Sequence, residues 1–367
     1  MKITRVDSTE GLYNLADIWD NLLIKNSTYS PYMTYGWVCS WWNWLREDQK
    51  LFLLLGKTKD TIVGIAPLVL SKRKSGIRRL EFMIDENGSR FDFLVSPDYR
   101  DQFFHTIADY LVAHSILWDE CLLNYYPCSS PNYKSVKSIF TQRGCNIGEN
   151  FFYSSYINQH TNWDQFLNLK KKKFRNNLKS KIRKCSRDNV LCKIATLDGD
   201  PDELTDKILH IESNTWKYKN GTAITSKKAT EEFYRSIIAY AADSGCLFLG
   251  IMEKQGQPIA YDFNWAIGES VFSLKMGYDE SFGYLSPGKV LFAYTVEQSI
   301  ESGFKYHELM GLDEGHKREW TKDVRKHSRL HIYHNAIKSR LTYFYNFKIR
   351  KCLRSLFKKD VASNTLN

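Results

Sequence analysis

The pattern of hydrophobic and polar positions predicts one order of elements twice: two helices, three antiparallel strands, a loop, a helix and a strand. The first set lies at residues 12–22, 37–45, 51–55, 62–70, 79–84, 85–90, 103–113 and 117–123. The second set lies at residues 204–216, 231–242, 246–252, 259–266, 270–276, 278–287, 288–302 and 305–310. This order is typical of an α/β (α+β) fold with mixed, mostly antiparallel sheets.

The two predicted hairpins also resemble each other in sequence. The segments 51–56 and 62–66 read LFLLLG and IVGIA, and the segments 247–251 and 258–260 read LFLGI and PIA. Repetition of this length indicates duplication, and 367 residues suit two domains of ordinary size. We therefore predict an N-terminal domain (1–157), a linker helix (158–189), a C-terminal domain (190–335) and a tail (336–367).

Charge is concentrated in the linker and the tail. The net charge is +11, and residues 165–187 hold ten Lys or Arg and no acid. Residues 336–359 hold eight more, again with no acid, so the rest of the chain is mildly acidic. Such clustering indicates a local anionic partner: phosphate, nucleic acid or an anionic membrane surface.

Both basic segments are predicted to be amphipathic helices. The linker stripe consists of Phe166, Phe174, Leu178, Ile182 and Cys185. The tail stripe consists of Ile337, Leu341, Phe344, Phe347 and Leu356. For the tail, binding to an anionic membrane surface and packing against the body are both consistent with this pattern.

Composition narrows the class of protein. No run of about 18 uncharged apolar residues occurs, and the first residues lack the apolar core of a secretory signal. We therefore expect a cytoplasmic protein, placed at the inner membrane only through its tail. The eight cysteines have wide spacings without C-x-x-C, so we expect reduced core thiols and no metal.

The segment 283–289 is the sharpest local feature. Ser286 is a favourable N-cap, Pro287 suits the first helical position and Gly288 allows close approach to the backbone. A helix start with free backbone N–H groups attracts anions, and Lys289 adds positive charge. The segment is either an ordinary capped helix or a diphosphate site.

The segment 306–320 collects acids, histidines and cations at the carboxyl end of a predicted strand, where α/β sheets place ligands. An amine that attacks a thioester needs a base. The candidate bases are Glu308, Asp313, Glu314 and His316. A solvated polar loop is the alternative. The sequence contains no Walker A, zinc, G-x-S-x-G or dinucleotide motif.

Several segments together resemble the CelD-like acetyltransferases of cellulose and exopolysaccharide biosynthesis, which are relatives of the FemABX aminoacyltransferases. The segments are PYMTYGW at 31–37 with Trp41 and Trp42, IVGIAPL at 62–68, KFRNNL at 173–178, and the closing block at 278–288 and 308–320. The resemblance covers residues 30–325, and it implies tandem GNAT-like domains with chemistry in the second.

Two positions depart from the pattern of the family. Its diphosphate loop is Gln/Arg-x-x-Gly-x-Gly/Ala, whereas Leu285 and Val290 stand at the first and last of those places. Members commonly have Asp where this chain has Glu308.

The resemblance implies a donor, acetyl-CoA or another acyl-CoA, held in the second domain. Its diphosphate is expected on Ser286, Gly288 and Lys289. Its thioester is expected near Asp262 and Lys275.

The acceptor is expected to be an amine or hydroxyl, on a sugar or on a precursor of the cell envelope or a polysaccharide. Glu308 or His316 would deprotonate it, and Tyr278 would protonate the departing thiolate. Lys317 and Trp320 would hold the acceptor.

Two other functions are consistent with the sequence. A FemABX-type aminoacyltransferase would take its acyl group from charged tRNA, which the basic linker helix would contact. A non-catalytic GNAT scaffold would bind partners at the membrane surface through the tail.

Overall fold

The computed structural model describes residues 1–25, 29–84, 88–159, 162–195 and 200–349. The chain forms two compact units. Unit 1 comprises Met1–Thr28, Glu47–Phe152 and Lys326–Asn367, and unit 2 comprises Tyr29–Arg46 and Tyr153–Arg325.

The described residues form both helices and strands. The strands are β1 Lys2–Val6, β2 Lys50–Leu51, β3 Leu53–Thr58, β4 Thr61–Ala66, β5 Leu68–Lys72, β6 Arg78–Phe82, β7 Leu94–Val95, β8 Glu120–Pro127, β9 Asn146–Asn158, β10 Val190–Ala195, β11 Leu247–Lys254, β12 Gln257–Ile267, β13 Ser270–Tyr278, β14 Tyr306–Glu308 and β15 Val324–Tyr333. The α-helices are α1 Thr9–Tyr13, α2 Ala16–Ile24, α3 Tyr35–Trp44, α4 Arg100–Ala113, α5 Pro131–Gln142, α6 Trp163–Asn168, α7 Lys172–Arg187, α8 Pro201–Ser213, α9 Trp216–Lys219, α10 Lys228–Asp243, α11 Pro287–Glu301 and α12 Ile337–Phe344. The predicted fold class, mixed α/β with mostly antiparallel strands, is confirmed.

Unit 1 contains the first predicted hairpin. Its strands follow the orders β1-β3-β4-β7 and β15-β8-β6-β5-β2. Strands β3 and β4 pair antiparallel, and α4 packs closely against them. A Cβ atom at Gly56 or Gly64 would lie 2.6 Å from the Phe103 ring, so both positions require glycine.

Unit 2 has a sheet with the order β10-β11-β12-β13-β14-β9. Hairpin β11–β12 turns through Gln255 and Gly256, both with positive φ, as a two-residue hairpin of matching twist requires. Neighbouring residues of β12 point to opposite faces. The Asp262 carboxylate accepts a hydrogen bond from Thr295 of α11, whereas the Tyr261 hydroxyl donates one to Glu212 of α8. These two helices therefore cover opposite faces of the sheet.

The tryptophan-rich helix α3 belongs to unit 2, although the predicted domain 1–157 contains it. The Trp37 ring lies edge-on to Phe233 at 5.2 Å and to Trp265 at 5.7 Å. Trp41 and Trp42 are buried as well. The apolar spacing of α3 correctly indicates a core position. Its aromatic contacts place it in the core of unit 2, which is formed mainly by residues later in the sequence.

The start of the tail belongs to unit 1, so the predicted boundary at 335 also differs from the compact units. The Ser339 hydroxyl donates to the Asp119 carbonyl at 2.6 Å, and the Lys338 ammonium lies 2.9 Å from the Asp119 carboxylate. The remainder of the tail, including Leu356, lies outside the described residues.

The predicted linker helix is interrupted. Phe166 lies on α6 and Phe174 on α7, but both enter the same hydrophobic cluster of unit 2. The seven cysteines in the described ranges are free thiols. Among the helices of those ranges, none combines the length and apolarity needed to cross a bilayer.

Candidate functional site

Strands β13 and β14 diverge after a short parallel pairing. They pair only from Ser270 opposite Tyr306 to Phe272 opposite Glu308, and β13 then continues to Tyr278. After β14 the chain turns away, and the Leu309 N–H donates to the Ser155 carbonyl at 3.0 Å. The later residues of β13 therefore border an opening in unit 2.

A cavity of about 430 Å³ occupies this opening, a size suited to a small-molecule site. Its walls come from β12, β13, the start of α11 and the segment 309–320. The lining residues are Asp262, Ser273, Leu274, Lys275, Met276, Gly288, Lys289, Phe292, Leu309, Glu314, His316, Lys317, Glu319 and Trp320. Seven of the ten predicted site residues are in this set.

A β-bulge shapes the β13 wall. On β12, Phe263 is opposite Lys275 and Asn264 is opposite Ser273, so Leu274 has no opposite residue. The extra residue reverses the alternation of faces. Ser273 consequently faces the α11 side, whereas Lys275 faces the α10 side, where its ammonium lies 5.3 Å from the centre of the Tyr234 ring.

Asp262 is a completely buried carboxylate in the wall of the cavity. Burial raises its pKa to about 6, although the Thr295 hydroxyl donates to Oδ2 at 2.6 Å and opposes this shift. At neutral pH, Asp262 is therefore ionised and able to take up a proton from a cavity ligand.

Lys275 shows the opposite shift, also because of burial. Removal from water lowers its pKa to about 8, and the nearby Glu212 carboxylate limits the shift. Lys275 is therefore mostly a cation at neutral pH and lies close to the point of its titration.

The start of α11 differs in detail from its prediction. Within the described residues, the Ser286 hydroxyl does not cap α11; it accepts a hydrogen bond from the Lys181 ammonium of α7. Ser286 has φ 54°, and its carbonyl accepts from the Lys289 N–H at 3.1 Å. Ser286 thus occupies the predicted N-cap position, but its side chain makes no capping hydrogen bond, because its left-handed backbone turns the hydroxyl toward α7.

Cations surround this helix start. Lys184 of α7 donates to the Tyr284 carbonyl at 3.1 Å, and Lys289 forms an ion pair with Glu319 at 2.7 Å. With Lys181 and the half-buried backbone at Gly288, these groups fit a diphosphate. The fit depends on side-chain cations, since the Lys289 N–H is already bonded within the turn.

The segment after β14 is folded around Lys317. Met310 and Gly311 both have positive φ. The Lys317 ammonium donates to the carbonyls of Met310 at 2.7 Å and Leu312 at 2.8 Å, and burial lowers its pKa. Lys317 thus stabilises a strained turn at the edge of the cavity.

The predicted bases lie in different environments. Glu308 is buried and accepts from the Arg325 guanidinium at 2.6 Å. Glu308 and Tyr278 are not among the described residues that line the cavity. His316 lines the cavity with its side chain 71% exposed, 3.4 Å from Glu314.

Trp320 is a wall residue of the cavity with a core role. Its ring lies edge-on to Phe174 at 5.0 Å and to Phe292 at 4.8 Å. Truncation of Trp320 would therefore disturb packing as well as any contact with a ligand.

Ser273 and His307 form a further polar pair at the site, and neither was among the predicted site residues. Ser273 lines the cavity, and its hydroxyl oxygen lies 3.0 Å from Nε2 of the buried His307. Strict alternation along the strand would place Ser273 on the same face as Lys275. The bulge that separates them has no signal in the sequence.

Residues 172–318, less than half of the chain, match the family model described as acetyltransferase (GNAT) domain. No curated protein matches the sequence. The crystal structure of FemX is similar with a TM-score of 0.63 and 8% identity, over 94% of this chain and 99% of that one.

Two further solved structures are similar over most of their length. The structure of L-PGS from Bacillus licheniformis has a TM-score of 0.56 and 11% identity, over 92% of this chain and 96% of that one. A protein of unknown function from Bacteroides thetaiotaomicron has a TM-score of 0.53 and 14% identity, over 91% and 100%. At such identities the likeness shows the fold alone. Together with the family match over residues 172–318, it supports an acyltransferase of the GNAT fold in unit 2.

Proposed function

We propose that the chain transfers an acetyl or longer acyl group from acyl-CoA to an amine or hydroxyl acceptor in the cavity between β13 and β14. The acceptor class we propose is a sugar or a glycan precursor of the cell envelope, in keeping with the CelD-like resemblance. The observation that carries the proposal is the divergence of β13 and β14 beside the start of α11, because a thioester then reaches the acceptor between two strands.

The donor would bind with its diphosphate at the start of α11. Gly288 allows close approach of the backbone, and Lys289 and Lys181 supply positive charge. The thioester would then lie along the unpaired part of β13, near Lys275.

Asp262 is the base that the geometry supports best. It borders the cavity and its pKa of about 6 is close to working pH, which suits proton transfer. The acceptor's N–H or O–H proton would move to Asp262 as the new bond to the carbonyl carbon forms and the carbon–sulfur bond breaks. The Tyr278 phenol, whose ring packs beside Gly288, is the proposed proton donor to the thiolate.

Glu308 and His316 are weaker candidates for the base. Glu308 would first have to leave its ion pair with Arg325. His316 is largely exposed to solvent, where an acceptor is less well fixed. Lys317 and Trp320 remain proposed contacts of the acceptor, at the edge and wall of the cavity.

A ligand-stability screen tests the donor. Acetyl-CoA and longer acyl-CoAs should raise the melting temperature in proportion to the logarithm of concentration, and adenosine should not. A melting temperature unaffected by every acyl-CoA at millimolar concentration would remove the acyl-CoA proposal.

An aminoacyl-tRNA donor is the second candidate, favoured by the surface of α7. Its side chains Lys172, Lys173, Lys179, Arg183 and Arg187 are exposed. Binding of tRNA through several phosphates would weaken steeply between 50 and 200 mM salt, by orders of magnitude. Filter binding of tRNA without such a salt dependence would exclude this candidate.

The tail supports a proposed peripheral contact with an anionic membrane, which a non-catalytic scaffold would also use. One side of α12 packs on unit 1 through Ser339, whereas Ile337 and Leu341 are 78% and 64% exposed beside Arg340. This combination suits an anionic interface. Co-sedimentation with vesicles containing phosphatidylglycerol should be lost in Leu341→Glu; equal sedimentation of the variant would refute the contact.

A further inference from the structure

A chain of hydrogen bonds leads from the cavity into the core of unit 2. Ser273 Oγ lies 3.0 Å from His307 Nε2, and His307 Nδ1 lies 3.2 Å from Ser299 Oγ. The Gln159 amide nitrogen also donates to Ser299 Oγ. His307 and Ser299 are fully buried, whereas Ser273 lines the cavity. The chain thus has one end that a ligand reaches.

The partners of Ser299 determine the direction of these hydrogen bonds. A hydroxyl has one proton to donate and two lone pairs that accept. Ser299 donates its proton to the Val296 carbonyl at 3.1 Å, since a carbonyl can only accept. Both lone pairs then accept, one from Gln159 and one from His307, which requires the proton of His307 to be on Nδ1.

The direction at His307 in turn determines the direction at Ser273. With its proton on Nδ1, neutral His307 presents a lone pair at Nε2. The Ser273 hydroxyl therefore donates its proton away from the cavity, to Nε2. Its lone pairs remain for the cavity, where Ser273 acts only as a hydrogen-bond acceptor.

The surroundings of His307 keep it neutral. The neighbouring groups are the two serines, Gln159 and the edge of the Phe292 ring, and none of these is charged. Burial lowers the His307 pKa to about 3. An imidazole with so low a pKa is a weak base for the Ser273 proton, so this pair orients the hydroxyl and does not activate it as a nucleophile.

We propose that Ser273 is a specificity residue for amine acceptors: held by His307, its hydroxyl accepts a hydrogen bond from one N–H of the attacking amine, while another N–H proton moves to Asp262. The inference rests on the proposed acyl transfer. A carbonyl oxygen cannot donate, so the thioester oxygen is excluded from this position, whereas the attacking amine has the N–H that Ser273 requires.

The tautomer of His307 tests the arrangement without any ligand. In ¹⁵N-histidine-labelled full-length protein at pH 7, long-range ¹H–¹⁵N spectra should show His307 neutral with the proton on Nδ1; His307→Gln identifies the signal. A proton on Nε2, or a charged imidazolium at pH 7, would overturn the proposal.

Steady-state kinetics test the role. Release of CoA from acetyl-CoA would be followed with glucosamine and ethanolamine as probe acceptors. Ser273→Ala should raise the acceptor KM about tenfold, the effect of losing one hydrogen bond, with the acetyl-CoA KM within twofold of wild type. Ser273→Thr keeps the hydroxyl, so its KM for the acceptor and its KM for acetyl-CoA should both stay within threefold of wild type.

An unchanged acceptor KM in Ser273→Ala, with full acetyl-CoA binding, refutes the role of Ser273 and leaves acyl transfer standing. A wild type that neither binds acetyl-CoA nor releases CoA refutes both.

Discussion

At the scale of single residues, burial is the factor that sets the chemistry of the cavity. Asp262 and Lys275 lie on neighbouring strands, and withdrawal from water disfavours the charged form of each. The acid pKa therefore rises to about 6 and the lysine pKa falls to about 8. Asp262 then titrates just below neutral pH and Lys275 just above it, a range that suits acid–base chemistry.

Asp262→Asn should reduce kcat/KM about a hundredfold at pH 7.5, because the base is lost. In the wild type, kcat/KM should fall as pH decreases through about 6, where Asp262 is protonated. In Asp262→Asn, this decrease of kcat/KM toward low pH (the acid limb) should be absent. The measurement is the pH profile of kcat/KM with acetyl-CoA and a simple amine.

The same substitution should stabilise the fold at high pH. The folded pKa of Asp262 lies above its ordinary value of 3.8, so the ionised form destabilises the folded state. This loss of stability begins as pH rises above about 4 and is complete above about 6. Denaturant unfolding should show that Asp262→Asn raises the free energy of unfolding by about 1–3 kcal/mol at pH 7.5 and leaves it unchanged at pH 4. An equal effect at both pH values would contradict the account.

Glu308→Gln is the matched control. Glu308 is buried and pairs with Arg325, whose guanidinium also lies 4.1 Å from the centre of the Tyr156 ring. Removing the negative charge leaves Arg325 without its counter-charge, so the melting temperature should fall. The acid limb near pH 6 should persist. Its loss in Glu308→Gln would make Glu308 the base instead of Asp262.

At the scale of elements, the sequence indicates most of unit 2 because its periods are regular. The predicted strands at 246–252, 259–266 and 270–276 correspond to β11, β12 and β13, and the helix at 288–302 corresponds to α11. Turn chemistry at Gln255 and Gly256 adds a local signal. These elements depend on local patterns, which a single sequence contains.

Features that depend on tertiary contacts were not predictable. The bulge at Leu274 exists only relative to β12, and it separates Ser273 from Lys275. His307 reads as an ordinary polar position of a short strand until α11 places Ser299 beside it. The left-handed backbone of Ser286 likewise becomes visible only with α7 packed against the turn.

The residues of helix α7 are expected to contribute unequally to the proposed donor site. Lys181 reaches Ser286 at the start of α11, whereas Lys179 is exposed two residues away. Lys181→Ala should weaken acetyl-CoA binding about three- to tenfold, since one charge-assisted contact is lost. Lys179→Ala should leave the affinity for acetyl-CoA within twofold of wild type. Titration calorimetry at 150 mM salt measures both, and equal effects would place the diphosphate elsewhere.

At the scale of the whole molecule, two units form from segments that are separate in sequence. Helix α3 joins unit 2 through the contacts of Trp37, and α12 joins unit 1 through Ser339. Contiguous domains are the natural expectation from one sequence, because composition and periodicity do not reveal which distant segments pack together. The fold class was nevertheless predictable, since it depends on the order of elements.

Acyl-CoA is proposed to bind in the cavity where β13 and β14 diverge. Gly288 offers a direct test, because a Cβ atom there would meet the Tyr278 ring at an ordinary 3.6 Å. The backbone at Gly288 therefore accommodates a Cβ atom, and we expect the ring of Gly288→Phe to fill the cavity from its α11 side.

Titration calorimetry with acetyl-CoA on the wild type and Gly288→Phe is the decisive measurement. We expect saturable binding of one acetyl-CoA to the wild type and at least about a hundredfold weaker binding to the variant, with similar melting temperatures in the absence of ligand. Equal affinity in both proteins, or no binding to the wild type, would contradict this proposal.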